Sequence, residues 1–228
     1  MTAPCFVSQI CERDRRYMSL TLETIRNIYK DWETKPIGKH KFFSVLIPFV
    51  EKDGRVHLLF EVRAKHMQSQ PGEVCFPGGH VEKGENPAET ALRETYEEIG
   101  IPAEQIELLG QGDTLYGYAN YTLFTYTGII PYEACQKAQL AREEVDEIFL
   151  VPVEEFIKHP PEVHSENIFT DIDESFPYDK VGIDKDYQWR VGNWQIPIYD
   201  IDGRIIWGLT ARITENLMEI LQRKNPFK

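Results

Sequence analysis

Apolar residues recur along this chain with two periods. From Phe42 to Phe49 they run almost unbroken, the pattern of a strand buried on both faces. Lys52-Asp53-Gly54 then reads as a hairpin turn and His57 to Arg63 as the returning strand. Tyr121 to Gly128 alternates like a strand, and Glu147 to Val151 predicts another. Ile196 to Tyr199 and Arg204 to Trp207 read as a hairpin across Asp202-Gly203. A helical period governs Thr21 to Trp32, with Leu22, Ile25, Tyr29 and Trp32 on one face. It returns in Thr210 to Gln222, where Ile213, Leu217, Ile220 and Leu221 face inward. Val153 to His159 predicts a short helix.

The best-marked helix is Asn86 to Gly100. Asn86 suits the N-cap and Pro87 the first helical position. Glu89 completes a capping box, and Gly100 closes the C-terminus. Lys35-Pro36-Ile37-Gly38 is a break. Residues 64 to 79 carry few regular signals and end in Phe76-Pro77-Gly78-Gly79, a loop. Residues 1 to 18 read as irregular, and about 160–195 as a long irregular insertion. Strands and helices mix without strict alternation. That pattern predicts α+β or an α/β/α sandwich on a mixed sheet, not a doubly wound parallel sheet. The expected organisation is a 1–40 extension with one helix, followed by a 41–228 domain.

Composition narrows the function classes. The 228 residues hold 25 Lys plus Arg against 37 Asp plus Glu, a formal charge of -12. That balance argues against nucleic-acid binding, which needs a basic face, and against an anionic membrane surface. An anionic substrate then needs local cancellation of charge, for which a metal ion is the obvious candidate. No run of about 18 apolar residues predicts a membrane span. Cys5, Cys11, Cys75 and Cys135 fit neither a zinc pattern nor a disulfide framework. With no signal-peptide block at the start and no targeting tripeptide in the final NPFK, a reduced, cytoplasmic protein is expected.

Candidate chemistry concentrates between Gly79 and Ile101. Glu94, Glu97 and Glu98 fall at i, i+3 and i+4, which places three carboxylates on one helical face. A solvated acidic face costs little at this spacing, so the triplet alone is ambiguous. Its alternative reading is a hard-cation site, because Mg²⁺ and Mn²⁺ prefer oxygen ligands. The flanking residues shift that balance. Gly79, Glu85, Arg93, Glu94, Glu97, Glu98, Gly100 and Ile101 match the spacing G-x5-E-x7-R-E-U-x-E-E-x-G-U, where U is bulky and aliphatic. Seven fixed residues at roughly 5–8% each recur by chance about 10⁻⁶ times in such a chain. One position departs: Thr95 stands at the first U, where a packing adjustment toward the core is expected.

This spacing resembles the Nudix box of the Nudix hydrolases. The resemblance implies an α/β/α sandwich around a mixed sheet and hydrolysis of a nucleoside diphosphate linked to another group. It implies Glu94 and Glu98 as metal ligands and Glu97 as a ligand or near neighbour. It further implies the Gly78 carbonyl as a possible ligand, Arg93 as the residue that orients the carboxylates, and Glu85 as support. Metal ions suit this reaction, since they neutralise diphosphate oxygens and activate water.

Upstream, Leu58, Leu59, Arg63, Ala64, Gly72, Phe76, Pro77, Gly78 and Gly79 resemble the signature L-L-x-T-x-R-[SA]-x3-R-x3-G-x3-F-P-G-G of coenzyme A diphosphatases. Glu61 replaces the usual Thr, and Gln68 replaces the second Arg. This resemblance implies coenzyme A or acyl-coenzyme A as substrate, with Arg63 and Gly79 on the substrate side. Glu144, from the acidic cluster Glu143, Glu144, Asp146 and Glu147, is the expected distal carboxylate. Arg63, Lys65 and His66 are the candidate cations for a 3′-phosphate. His66 and His80 lack metal-ligating partners at the right spacing. Tyr116, Tyr118 and Tyr121 suit stacking on adenine or simple packing, and Trp207 is expected in the core. Two other functions stay open: an ADP-ribose or nucleotide-sugar diphosphatase, and a nucleotide sensor without catalysis.

Overall fold

The structure is a computed structural model that describes residues 20–224. The segment 1–18, expected to be irregular, lies outside the described residues. Two compact units divide between His40 and Lys41. The first holds α1 (Leu22–Lys30), started by Thr21, whose hydroxyl accepts from the Thr24 N–H at 3.1 Å. Its apolar stripe carries no buried residue. Helical periodicity reports that a face exists, not that anything covers it.

The second unit runs β1 (Lys41–Lys52), β2 (Arg55–Arg63), β3 (Val74–Cys75), β4 (Gly78–His80), α2 (Pro87–Ile99), β5 (Glu107–Gln111), β6 (Leu115–Gly117) and β7 (Tyr121–Ile129). It continues with α3 (Tyr132–Gln136), β8 (Val145–Pro152), α4 (Val153–Lys158), β9 (Glu162–Ile168), α5 (Tyr178–Val181), β10 (Gly192–Ile201), β11 (Arg204–Trp207) and α6 (Gly208–Lys224). The first eight strands form one sheet and β9 to β11 a second. In the large sheet β1 and β7 are parallel and the other pairings antiparallel, so the sheet is mixed.

Alternation along the central strands fills both faces. Leu46 and Leu59 pack on one side with Ala91, Ile99 and Ile101 from α2 and its exit. Ile47, Leu58 and Phe60 pack on the other with Ile213, Leu217 and Met218 of α6. Each fully buried aliphatic side chain contributes roughly 1.5–3 kcal/mol, and both faces draw on it. The result is an α/β/α sandwich. Both predicted hairpin turns adopt left-handed backbone at Asp53-Gly54 and Asp202-Gly203, the geometry that matches strand twist.

The feature that positions the site is a fork. β2 pairs with β1 from Arg55 to Leu58 and then leaves it. Beyond that point Glu61 and Val62 face Cys75 and Val74 of β3, while Val45, Ser44 and Phe43 of β1 face Gly78, Gly79 and His80 of β4. The outer edges of β1 and β2 are occupied by β7 and β8. Segment 74–80 therefore sits in the gap between the two central strands.

Several expectations need correction. Residues 64–79 are not all loop, because β3 and the start of β4 are too short to show a period. The segment near 160–195 contains β9, which pairs with β10 from Ile168↔Gly192 to Glu162↔Ile198. Six of its seven residues are exposed, so backbone pairing forms it without apolar alternation. Trp207 is not core: it is 44% exposed, while the preceding Ile206 is fully buried. A period of two sends neighbours to opposite faces. Among the described residues, no helix is long and apolar enough to cross a membrane.

Candidate active site

Helix α2 begins as its sequence requires. The Asn86 side chain accepts from the Ala88 N–H at 2.9 Å, and Glu89 accepts from the Asn86 N–H at 3.3 Å. Ser44 Oγ donates to the Pro87 carbonyl at 2.6 Å, which fastens the helix start to β1. At the far end Gly100 takes φ 72 and donates to the Tyr96 carbonyl. Thr95, the departure from the motif, is fully buried and donates its hydroxyl to the Ala91 carbonyl at 2.7 Å. The helix itself thus satisfies the polar atom that an aliphatic residue would have lacked.

The three carboxylates grade from core to solvent. Glu98 is buried, Glu94 half-buried and Glu97 exposed. Glu98 Oε2 accepts from the Gly78 N–H at 2.8 Å, across the mouth of the fork. Gly78 and Gly79 are required by close approach. A Cβ on Gly78 would overlap the Ser44 carbonyl and Val45, and one on Gly79 would overlap the Glu94 carboxylate.

Arg93 gathers the solvent side. Its Nε donates to Glu85 Oε1 at 2.8 Å, and a second nitrogen reaches Glu85 Oε2 at 3.2 Å. Its remaining terminal nitrogen lies 2.8 Å from both Glu94 Oε1 and Glu97 Oε2. Hydrogen bonds from Arg93 and Thr90 hold the Glu85 carboxyl down at about 2. Arg93 in turn is held protonated, chiefly by Glu85.

Toward the interior the balance reverses. Burial raises the Glu98 pKa, and the charge of Glu61 adds to it, followed by Glu94 and Glu144. Glu94 is raised for the same first reason, burial, despite Arg93. In the sequence Glu61 stands out only as a departure from the diphosphatase signature. It is buried on β2, also with a raised pKa from burial. The available signal was a charged residue at the end of an apolar strand, flanked by Phe60 and Val62. Glu144 is exposed, but its backbone is pinned. Its carbonyl accepts from the Ala64 N–H at 2.7 Å, and its N–H donates to Ala141, which bonds the Glu98 carbonyl.

Arg63, Gly78 and Gly79 line a cavity of about 250 Å³, with Phe43, Val45 and Tyr121 among its walls. The Arg63 Nε is buried and has no hydrogen-bond partner. Lys65, His66 and Gln68 are exposed and lie outside this lining; His66 pairs with Glu143 at 3.5 Å. The His80 ring packs edge-on against Phe43, and Tyr118 packs edge-on against Trp194. Tyr116 is exposed. Glu147 pairs with Arg204 at 2.8 Å.

These residues suit a hard divalent cation. Burial raises the cost of ionising Glu61, Glu94 and Glu98, the charge of Glu144 adds to each, and Glu61 Oε2 is buried without a partner. Such a concentration of carboxylate oxygen is stabilised by a cation. Among the described residues no three acidic, His or Cys side chains already converge as a metal cage.

The NUDIX domain model matches residues 40–171, more than half of the chain. A Caenorhabditis elegans protein named Nudix hydrolase 3 is 42% identical over 117 residues, covering 50% of this chain and 49% of its own. The peroxisomal coenzyme A diphosphatase of Mus musculus is 36% identical over 128 residues, 55% of this chain and 52% of its own. The chain spans about half the length of these relatives. Among solved structures, a C. elegans Ap4A hydrolase in binary complex aligns with a TM-score of 0.43 and 24% identity. That alignment covers 51% of this chain and 83% of the other.

Proposed function

The chain belongs to the Nudix family, and we propose that it is a metal-dependent diphosphatase acting on coenzyme A or acyl-coenzyme A. The activity is assigned to the unit that begins at Lys41, with residues 1–40 as an extension. Water would attack one phosphorus of the diphosphate, one P–O bond would break, and the products are 3′-phosphoadenosine 5′-phosphate and (acyl-)4′-phosphopantetheine.

The observation that carries the substrate assignment is Arg63. Arg63 lines a cavity whose other walls include Phe43, Val45, Leu123 and Ile213, and its Nε is buried without a partner. A buried donor without an acceptor is costly, and a phosphate oxygen satisfies it. The apolar wall suits a pantetheine arm or an acyl group better than a second sugar. The 36% identical mouse diphosphatase supports the same reading.

Glu94 and Glu98 would hold Mg²⁺ or Mn²⁺, with Glu97 and Glu144 reaching the site from solvent and Gly78 at its edge. A bound divalent ion would supply charge neutralisation of the diphosphate and a more acidic water. Arg93, locked on Glu85, keeps Glu94 and Glu97 oriented. Gly79 lets the Glu94 carboxylate lie against the backbone. The free Cys75 and Cys135 support a reducing compartment such as the cytoplasm.

The test is kcat/KM for coenzyme A, dephospho-coenzyme A and ADP-ribose under one metal condition, with products identified by mass. Coenzyme A should lead. Arg63→Ala should reduce its turnover, and Gln68→Arg should preserve or improve it. If ADP-ribose leads, the coenzyme A assignment is wrong and the family assignment stands.

A further inference from the structure

Glu61 is 1% exposed, on the central strand β2. Its Oε1 accepts from the Cys75 thiol at 3.1 Å, across the β2–β3 pair. Its Oε2 is buried and has no hydrogen-bond partner. Arg63 is near enough to favour the ionised form, but among the described residues no ion pair joins the two. A core carboxylate with one bare oxygen is costly unless something occupies the position that oxygen faces.

The fold shows which face of the sheet carries Glu61. Strand alternation puts Glu61 on the same side as Leu59, and Leu59 packs in the cluster that α2 completes. Cys75, its cross-strand partner, lies three residues before Gly78, whose amide holds Glu98. Glu98 has no charged neighbour that acts on it more strongly than Glu61. Glu61 therefore lies on the side of the sheet that α2 covers, and its charge acts on Glu98 across the fork.

We propose that Glu61 supplies a further oxygen ligand to the divalent ion held by Glu94 and Glu98, while the Cys75 thiol orients it through its other oxygen. This rests on the reading of Glu94 and Glu98 as cation ligands. It gives the Glu at this position a purpose that the Thr of the coenzyme A diphosphatase signature cannot serve, since Thr has no charge to offer.

The experiment measures Mn²⁺ affinity of the full chain without substrate, by the electron paramagnetic resonance signal of free Mn²⁺. Glu61→Gln, Glu61→Thr, Cys75→Ala and Glu98→Gln are compared with the parent. Glu61→Gln should weaken Mn²⁺ binding about 10–100-fold while the metal-free melting temperature holds or rises. Cys75→Ala should weaken it less. Should Glu61→Gln fail to fold, Glu61→Thr carries the same expectation. Parent-like Mn²⁺ affinity in the Glu61 variants, with loss in Glu98→Gln, would overturn this proposal and leave the cation reading intact. Parent-like affinity in Glu98→Gln as well would bring down both.

Discussion

The Gly78 N–H and the Glu98 carboxylate meet at 2.8 Å, and this bond joins the strand fork to the helix that carries the other acids. One backbone donor does not offset the burial of Glu98 or the charge of Glu61, and the Glu98 pKa stays raised.

The first prediction follows from that imbalance. A carboxyl with a raised folded pKa holds its proton where the unfolded chain has lost it. Its stabilising contribution is complete below the ordinary value of 4.5 and is lost as pH rises toward the raised value. The metal-free protein should therefore melt lower at pH 8 than at pH 5. Glu98→Gln should flatten that slope, and Mg²⁺ or Mn²⁺ should restore stability most at the higher pH by binding the native state. A slope unchanged by Glu98→Gln in thermal melts would remove Glu98 from this role.

Loss of either inner ligand should abolish most turnover. Glu94→Gln and Glu98→Gln keep side-chain shape and remove charge, so kcat should fall at least ~10²-fold with the circular dichroism spectrum unchanged. Near-native kcat in both variants would show that the reaction centre lies elsewhere.

Glu85 works in the opposite pH direction. Its folded pKa is lowered to about 2 by Arg93 first and Thr90 second. The stability it provides is present above 4.5 and disappears as pH falls toward 2. Glu85→Gln should lower the melting temperature at pH 7 and weaken the acid-side loss. It should also reduce kcat, because Arg93 would lose its anchor and be left to Glu94, Glu97 and the His80 carbonyl. A melt at pH 7 indistinguishable from the parent would contradict the role given to this pair.

Gly79→Ala tests the packing of Glu94 against backbone. The added methyl would overlap the Glu94 carboxylate, which must move aside. A displacement of this kind can cost on the order of 10²-fold in rate. The expected outcome is a large fall in kcat with a small change in melting temperature. Equal activity in the variant would mean that Glu94 need not lie against Gly79.

Helix α2 was legible down to its caps. Asn86, Pro87, Glu89 and Gly100 act within one or two turns, and the side-chain spacing of Arg93, Glu94, Glu97 and Glu98 follows from 3.6 residues per turn. The chemistry was legible for the same reason, since four of its residues share one helix. The alternating strands and both Asp-Gly turns were equally local.

Elsewhere the chain gave weaker signals. β9 has no apolar alternation, since its pairing is made by backbone alone. Trp207 looked like core because it is large and apolar, and only the strand's phase against α6 turned Ile206 inward instead. The exposure gradient from Glu98 to Glu97 is invisible in a helical wheel, because it depends on which edge of α2 the sheet covers.

The motif residues of the box thus belong to local sequence, because capping and helical spacing are short-range. The inner acidic set belongs to the tertiary structure. Glu61 and Glu98 lie far apart in sequence, on different elements, and they are brought together when β2 leaves β1 and segment 74–80 fills the gap. That register is decided by non-local packing on both faces of the sheet. It is the step that turns a solvated row of carboxylates into a buried, mutually repelling set with an unpaired oxygen.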